Sequence, residues 1–306
     1  MDSIYDVIII GSGPSGLTAG IYTTRAGLKT LIVAGEKWGG QLMLTTEVEN
    51  FPGFPEGIQG PDLMANMRKQ AEHHGAEFVD ENFSQGDFSK RPFTVTAADK
   101  TYQAKSIIIA TGADTKWLDV PGEKEKIGRG VSSCAPCDAP FFKEKDVIVA
   151  GGGDSAMEEA IVLTRFAKSV TLIHRRDAFR ASQIMQDKAK ANPKIKFLLN
   201  TQIAEITGEF KVEGVKLTNT VTDEESEMPT QGVFVAIGHI PNSKVFPGID
   251  VDEKGFIKAQ EHYRTNIEGI FVAGDVHDRQ YMQAITAAGY GCAASLEAER
   301  WLEAQK

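Results

Sequence analysis

Cys134 and Cys137 are separated by two residues and followed directly by an acid, in the run Cys134-Ala135-Pro136-Cys137-Asp138. That spacing can close a small disulfide, and either thiolate can attack a disulfide or leave from one. Asp138 can move a proton during such an exchange. A structural zinc site needs four ligands, usually a second Cys/His pair at matching spacing. Here the remaining cysteine, Cys292, stands alone, and no histidine lies near the pair in sequence. The pair therefore reads as redox-active, with Cys134, Cys137 and Asp138 as catalytic candidates and no metal expected. Cys292 sits in a small-residue helical stretch and reads as packed core.

Two glycine loops offer a second kind of chemistry. Gly11-Ser12-Gly13-Pro14-Ser15-Gly16 follows the apolar run Val7-Ile8-Ile9-Ile10. A Gly-x-Gly-x-x-Gly between strand and helix lets the backbone approach a pyrophosphate and aims a helix N-terminus at it. Glu36 stands about 20 residues on, close to where an acid would bind a ribose hydroxyl. The second loop is Gly151-Gly152-Gly153-Asp154-Ser155-Ala156, with Ala156 in the third position, an allowed replacement. No acid follows its second strand; His174-Arg175-Arg176 stand there instead, with Arg180 close behind. An acid would repel a 2′-phosphate, whereas arginine forks bind phosphate oxygens. The second loop therefore reads as an NADPH site.

The elements that must position these groups follow from pattern. Tyr5 to Ile10 is a buried parallel strand, a helix runs to about Arg25, and a second strand covers Thr30 to Val33. Val147 to Ala150, a helix to about Phe166 and a strand from Ser169 to Ile173 repeat the unit. Ile107 to Gly112 closes the first module, and Val233 to Gly238 closes the second. This is an internal repeat at domain scale. The segment after the second module, with Ile270 to Asp275 and a helix near Gln283 to Ala298, is short for a third domain. The reading is α/β, with two Rossmann-like domains, the second inserted into the first. The first domain takes residues 1–113 and 246–306, the second 114–245, with crossings near Ala113 to Leu118 and His239 to Phe246. Asp275, at a strand end, can hydrogen-bond a ribitol or pyrophosphate near the first loop. The net charge of −9 argues against nucleic acid or an anionic membrane as partner. There is no run of ~18 apolar residues to span a membrane and no signal-peptide start, so the cytoplasm is expected.

The chain resembles low-molecular-weight, bacterial-type thioredoxin reductases, within the pyridine nucleotide-disulfide oxidoreductases, over nearly its whole length. The likeness rests on Gly11 to Gly16, Gly39-Gly40-Gln41-Leu42, Glu49 to Phe54, Cys134 to Asp138, Gly151 to Glu159, His174-Arg175-Arg176, and Gly274-Asp275 with Gln283-Ala284. It implies FAD on the first module and NADPH on the inserted one, a homodimer, and thioredoxin as substrate. It also implies that Gly40, Gln41, Asn50, Asp275, Gln283 and Ala284 line the FAD, and Gly112 and Gly274 are further cofactor-binding candidates. Electrons would pass from NADPH through FAD to Cys134–Cys137 and on to the thioredoxin disulfide, and the inserted domain would rotate in each turnover. Two departures stand out: Ala139-Pro140 where those relatives carry glycine and an aromatic residue, and Met282 where they carry arginine. An FAD-dependent dithiol oxidase and a non-catalytic flavin-binding redox sensor are the alternatives. The arginines count against the first, and the intact cysteine pair and second nucleotide site against the second.

Overall fold

Four consecutive apolar residues, Val7 to Ile10, need neighbours on both faces, as in a central parallel strand. In the structure, a computed structural model that describes residues 4–305, they lie in β1 (Tyr5–Ile10). Helix α1 (Pro14–Arg25) and β2 (Thr30–Val33) complete a βαβ unit, with Ile9 opposite Ile32. A short antiparallel ribbon, β3 (Glu47–Val48) and β4 (Ile58–Gln59), leads into α2 (Gly60–His73). Strand β5 (Glu77–Val79) extends the sheet beside β2. The meander β6 (Phe83–Asp87), β7 (Phe93–Ala97) and β8 (Lys100–Ile109) returns to the other side of β1, where β8 pairs in parallel.

Strand β9 (Ala113–Thr115) leads into the insertion. There β10 (Val131–Ser132) precedes α3 (Ala135–Asp138), followed by β11 (Asp146–Gly151), α4 (Asp154–Leu163), β12 (Ser169–Ile173), α5 (Gln183–Lys190) and β13 (Ile195–Leu198). A second meander follows: β14 (Thr201–Thr207), β15 (Gly214–Asn219) and β16 (Glu225–Pro229). Strand β17 (Gly232–Ala236) then slots between β10 and β11 in an all-parallel sheet of order β10-β17-β11-β12-β13. The chain leaves through β18 (His239–Pro241), which pairs with β9. Strand β19 (Ile270–Val272) joins the first sheet beside β8, Ile270 opposite Ile107, and α6 (Ala284–Glu303) ends the fold.

Two compact units result: residues up to Asp114 with those from Ile240 onward, and Thr115–His239. Asp114 and residues 240–245, assigned from sequence to the insertion, cluster instead with the first unit. The reason is local. Asn242 N–H donates to Gly112 O at 3.0 Å, Thr111 Oγ1 donates to Asn242 O at 2.8 Å, and Phe246 stacks on Phe83.

The pleat divides each sheet between two cores. Val7 and Ile9 face one side with α1, α2 and α6, while Ile8 and Ile10 face the other with Phe93, Val95 and Phe246. In the insertion Val147, Val149 and Phe234 bury against α4, while Ile148, Val233 and Val235 pack against the meander. Fully burying one such side chain stabilises by about 1.5–3 kcal/mol, which explains the unbroken apolar runs in both sheets. Helix α6 runs five residues past the expected Ala298, to Glu303. Trp301 and Leu302, three and four residues beyond Ala298, continue its buried face.

Candidate active site

The two glycine loops are built alike. Gly11 has φ +112°, and a Cβ there would lie 2.2 Å from Ala110 O. A Cβ on Gly16 would lie 2.0 Å from Gly11 O, so α1 can seat on the loop only without a side chain. In the second loop a Cβ on Gly151 would meet Ala236 O at 2.4 Å and the Ala156 Cβ at 2.7 Å. The middle glycines differ: a Cβ on Gly13 or Gly153 would meet nothing within 4 Å. The outer positions close the turn, and the middle one bares backbone to open space. Helices α1 and α4 begin directly after these glycines with no side-chain cap, leaving first-turn N–H groups for a ligand.

In the first unit several expected residues converge on this cradle. The Cβ position of Gly40 is 3.5 Å from Gly13 Cα, and that of Gly274 is 2.6 Å from Ser15 Oγ in the first turn of α1. Asp275 follows Gly274, and its Oδ1 is buried without a hydrogen-bond partner among the described residues. Burial, and secondarily the Asp278 carboxylate, push the Asp275 carboxyl up to about 7. Asn50 Nδ2 reaches Gln283 Oε1 at 3.4 Å across 233 residues of sequence. Gln283 also caps α6 in a reciprocal box with Thr286, and Ala284 opens that helix. Gln41 Nε2 donates to Asp114 Oδ1 at 3.0 Å. Gly112 takes a left-handed φ of +68° at the end of β8. Glu36 is exposed, and its backbone N–H donates to Asn82 Oδ1 at 3.2 Å.

In the second unit the segment after β12 wraps the other loop. Arg180 N–H and Ala181 N–H donate to Gly152 O at 2.8 and 3.1 Å, and Ser182 donates from N and Oγ to Asp154 Oδ1. His174 is buried: it packs so closely on Gly152 that a Cβ there would sit 2.3 Å from the ring, and it lies over Phe179. Burial lowers its pKa, and the nearby Arg180 and Arg176 act in the same sense. Arg175, Arg176 and Arg180 are exposed, and none makes an ion pair among the described residues. His174 and Asp154 shape the loop, whereas the three arginine side chains are exposed to solvent. Ser155 lies exposed in the first turn of α4 and Ala156 is buried beneath the loop.

Cys134 and Cys137 form a disulfide with Cα atoms 5.3 Å apart. Cys134 is the N-cap of α3, and its carbonyl accepts from Cys137 N–H and Asp138 N–H, both at 3.1 Å. Ser132, at the end of β10, accepts the Cys134 N–H at 3.1 Å and hydrogen-bonds the Asp138 carboxylate. Burial raises the Asp138 pKa, and the Ser132 bond opposes that shift. Ser132 was missed from sequence, because a serine two residues before a cysteine carries no signal of its own. Ala139, where the resemblance expects glycine, is unstrained, since its φ of −53° and ψ of −36° suit any residue, and Pro140 is the second residue of a 3₁₀ turn over Ala139–Phe142. Met282 adopts φ +47°, and its N–H, with those of Gln280 and Tyr281, is held by the Asp278 carboxylate. Nothing in the structure explains methionine at that position. Cys292 is a free thiol and half-buried rather than core.

Two tandem nucleotide-binding units, with a disulfide and a half-buried acid built into the second, define a class of electron-transferring disulfide oxidoreductases. The chain belongs to the pyridine nucleotide-disulphide oxidoreductase family, which it matches over residues 5–291. It is 55% identical to the thioredoxin reductase of Mycolicibacterium smegmatis over 305 residues, covering 99% of this chain and 98% of that protein. It is 51% identical to the bifunctional thioredoxin reductase/thioredoxin of Mycobacterium leprae, covering 98% of this chain and 66% of that protein. Among solved structures, thioredoxin reductase from Giardia duodenalis superposes with a TM-score of 0.94 at 42% identity, covering 99% of this chain and 100% of that one.

Proposed function

We propose that this protein is an NADPH-dependent, FAD-containing thioredoxin reductase. The Cys134–Cys137 disulfide carries the reading, set with Asp138 in the unit whose arginines stand beside a dinucleotide loop. One relative named both a thioredoxin reductase and a thioredoxin supports thioredoxin as the substrate. We assign FAD to the first unit, with Gly11, Gly13, Gly16, Glu36, Gly40, Gln41, Asn50, Gly112, Gly274, Asp275, Gln283 and Ala284. We assign NADPH to the second, with Gly151, Gly153, Asp154, Ser155, Ala156, His174, Arg175, Arg176 and Arg180. The bare middle glycines, the uncapped helix starts and the unpartnered Asp275 Oδ1 suit both groups. Bound FAD supplies a two-electron carrier between NADPH and the protein disulfide.

The residues of the chain do the rest. Gly13 and Gly153 admit a pyrophosphate to the helix starts, and Asp275 is placed to bond a sugar hydroxyl. Arg175, Arg176 and Arg180 read the 2′-phosphate. In the reduced pair one thiolate attacks the thioredoxin disulfide, forming a mixed disulfide and expelling a thiolate. The second cysteine then attacks the mixed disulfide, restoring Cys134–Cys137 and releasing dithiol thioredoxin. Asp138 supplies a proton to a departing thiolate. A dithiol oxidase of the same fold has no use for 2′-phosphate-reading arginines.

The proposal includes a homodimer in the cytoplasm, on the strength of the family resemblance; no helix of the described residues is long and apolar enough to cross a membrane. The deciding experiment is anaerobic: NADPH bleaches the flavin, and oxidised thioredoxin then restores its colour with stoichiometric dithiol formed. Absence of bleaching, or bleaching with no thioredoxin reduction, refutes the assignment.

A further inference from the structure

Two of the segments assigned to the flavin are joined by a loop, 276–282, to which no role has been given above. Gly274 and Asp275 stand before it, in a 3₁₀ turn that follows β19. Gln283 and Ala284 stand after it, where α6 begins. Within the loop Asp278 is only 6% exposed, although the next two residues, Arg279 and Gln280, lie in solvent. Its backbone N–H donates to Gly274 O at 3.1 Å, which fixes it to the first segment. Its carboxylate accepts three consecutive backbone N–H groups. Oδ1 takes those of Gln280 at 2.8 Å and Tyr281 at 3.1 Å, and Oδ2 takes that of Met282 at 3.3 Å.

The second segment depends on where this loop delivers it. Met282 has φ +47°, a left-handed conformation that a side chain disfavours, so the turn needs an external hold. Gln283 follows directly and meets several demands at once. It caps α6 in the box with Thr286, its Nε2 donates to Tyr281 O and Met282 O, both at 3.1 Å, and its Oε1 accepts from Asn50 Nδ2 at 3.4 Å. The peptide between Tyr281 and Met282 is therefore gripped at both ends, its N–H by Asp278 and its C=O by Gln283.

We propose that Asp278 is a positioning residue of the flavin site, which acts through that peptide to set Gln283 before the cofactor arrives. An unheld loop would have to be ordered on binding, at a cost to affinity, and the three N–H bonds leave it ordered beforehand. The same residue couples the two segments, since its own N–H holds Gly274 while its carboxylate holds the approach to Gln283.

This inference rests on the assignment of FAD to the first unit. The measurement is the rate of FAD release from the holoenzyme after dilution, read as the rise of flavin fluorescence, together with the visible circular dichroism of the bound flavin. In Asp278→Asn the amide offers a single oxygen, which can keep the Gln280 and Tyr281 bonds while the Met282 N–H faces an NH₂ group. Release should quicken about tenfold, near the low end of the effect of one unsatisfied donor, and the dichroism of the flavin should change. In a Gln283→Ala background the same substitution should add less than about a twofold effect, because its route to the flavin is gone. Adding Met282→Gly to Asp278→Asn should restore most of the affinity, since glycine adopts the left-handed turn without a hold.

A wild-type protein that binds no FAD overturns the cofactor assignment and this inference with it. Wild-type FAD binding with unchanged release in Asp278→Asn overturns this inference alone. So do multiplicative effects of Asp278→Asn and Gln283→Ala, which are what a merely structural aspartate produces. If Asp278→Asn alone does not fold, the variant that also carries Met282→Gly decides: it should fold and hold flavin, and its failure to do so overturns the proposal.

Discussion

Replacing Arg175 and Arg176 together by alanine should convert the enzyme from an NADPH-selective to an indifferent one. Both side chains are exposed and form no ion pair among the described residues, so their loss should not disturb packing. The backbone there is held separately: Thr220 Oγ1 donates to Arg175 O at 2.9 Å and Asn200 N–H to Arg176 O at 3.1 Å. A hydrogen bond to a charged group contributes about 1.5–3 kcal/mol. Exposure to solvent weakens each, since exposed ion pairs typically contribute below about 1 kcal/mol. Taking about 1–2 kcal/mol per arginine gives about 2–4 kcal/mol for the pair, a loss of roughly 30- to 1,000-fold at ~1.4 kcal/mol per decade. The assay is stopped-flow bleaching of the flavin by NADPH and by NADH, each over a concentration series. NADPH should weaken by that factor while NADH changes by less than about threefold, well below half a decade. Equal losses for the two cofactors would show that these arginines do not read the 2′-phosphate.

Three further outcomes are expected. Cys134→Ser and Cys137→Ser should each abolish thioredoxin reduction while flavin bleaching by NADPH survives; near-normal turnover in either contradicts the exchange mechanism. Asp138→Asn should slow thioredoxin reduction by about 10²–10⁴-fold, the usual range for a positioned proton donor, with flavin bleaching retained; an unchanged exchange rate removes Asp138 from the chemistry. Gly13→Ala should leave the melting temperature of the apoprotein unchanged yet weaken FAD binding, because its methyl group enters open space. Gly16→Ala should lower both, because its Cβ would sit 2.0 Å from Gly11 O. Differential scanning fluorimetry with and without FAD separates the two, and identical behaviour would refute the cradle.

Much of this protein is written locally. The apolar runs at Val7 to Ile10 and Val147 to Ala150, each followed by a glycine loop, read as central parallel strands, because no polar position offers a solvent face. Each is followed by small residues where helix, turn and strand crowd together, and the contacts at Gly11, Gly16 and Gly151 bear that out. The cysteine spacing is likewise a local property, since a turn of α3 brings the two residues together.

What only tertiary structure decided is which distant groups meet and which charges are buried. Asn50 meets Gln283, Gly274 presses on Ser15, and residues 240–245 join the first unit through Asn242 and Phe246. His174 and the arginines beside it are adjacent in sequence, yet one is buried under the loop and the others stand in solvent. Glu158 and Glu159 are identical in type, yet Glu158 is exposed while the Glu159 Oε2 is buried without a hydrogen-bond partner among the described residues. The physical reason is the same throughout. Backbone preference and hydrophobic period depend on a few neighbouring residues, whereas desolvation and charge coupling depend on everything that surrounds a group in space, and two adjacent residues of one type can meet opposite surroundings.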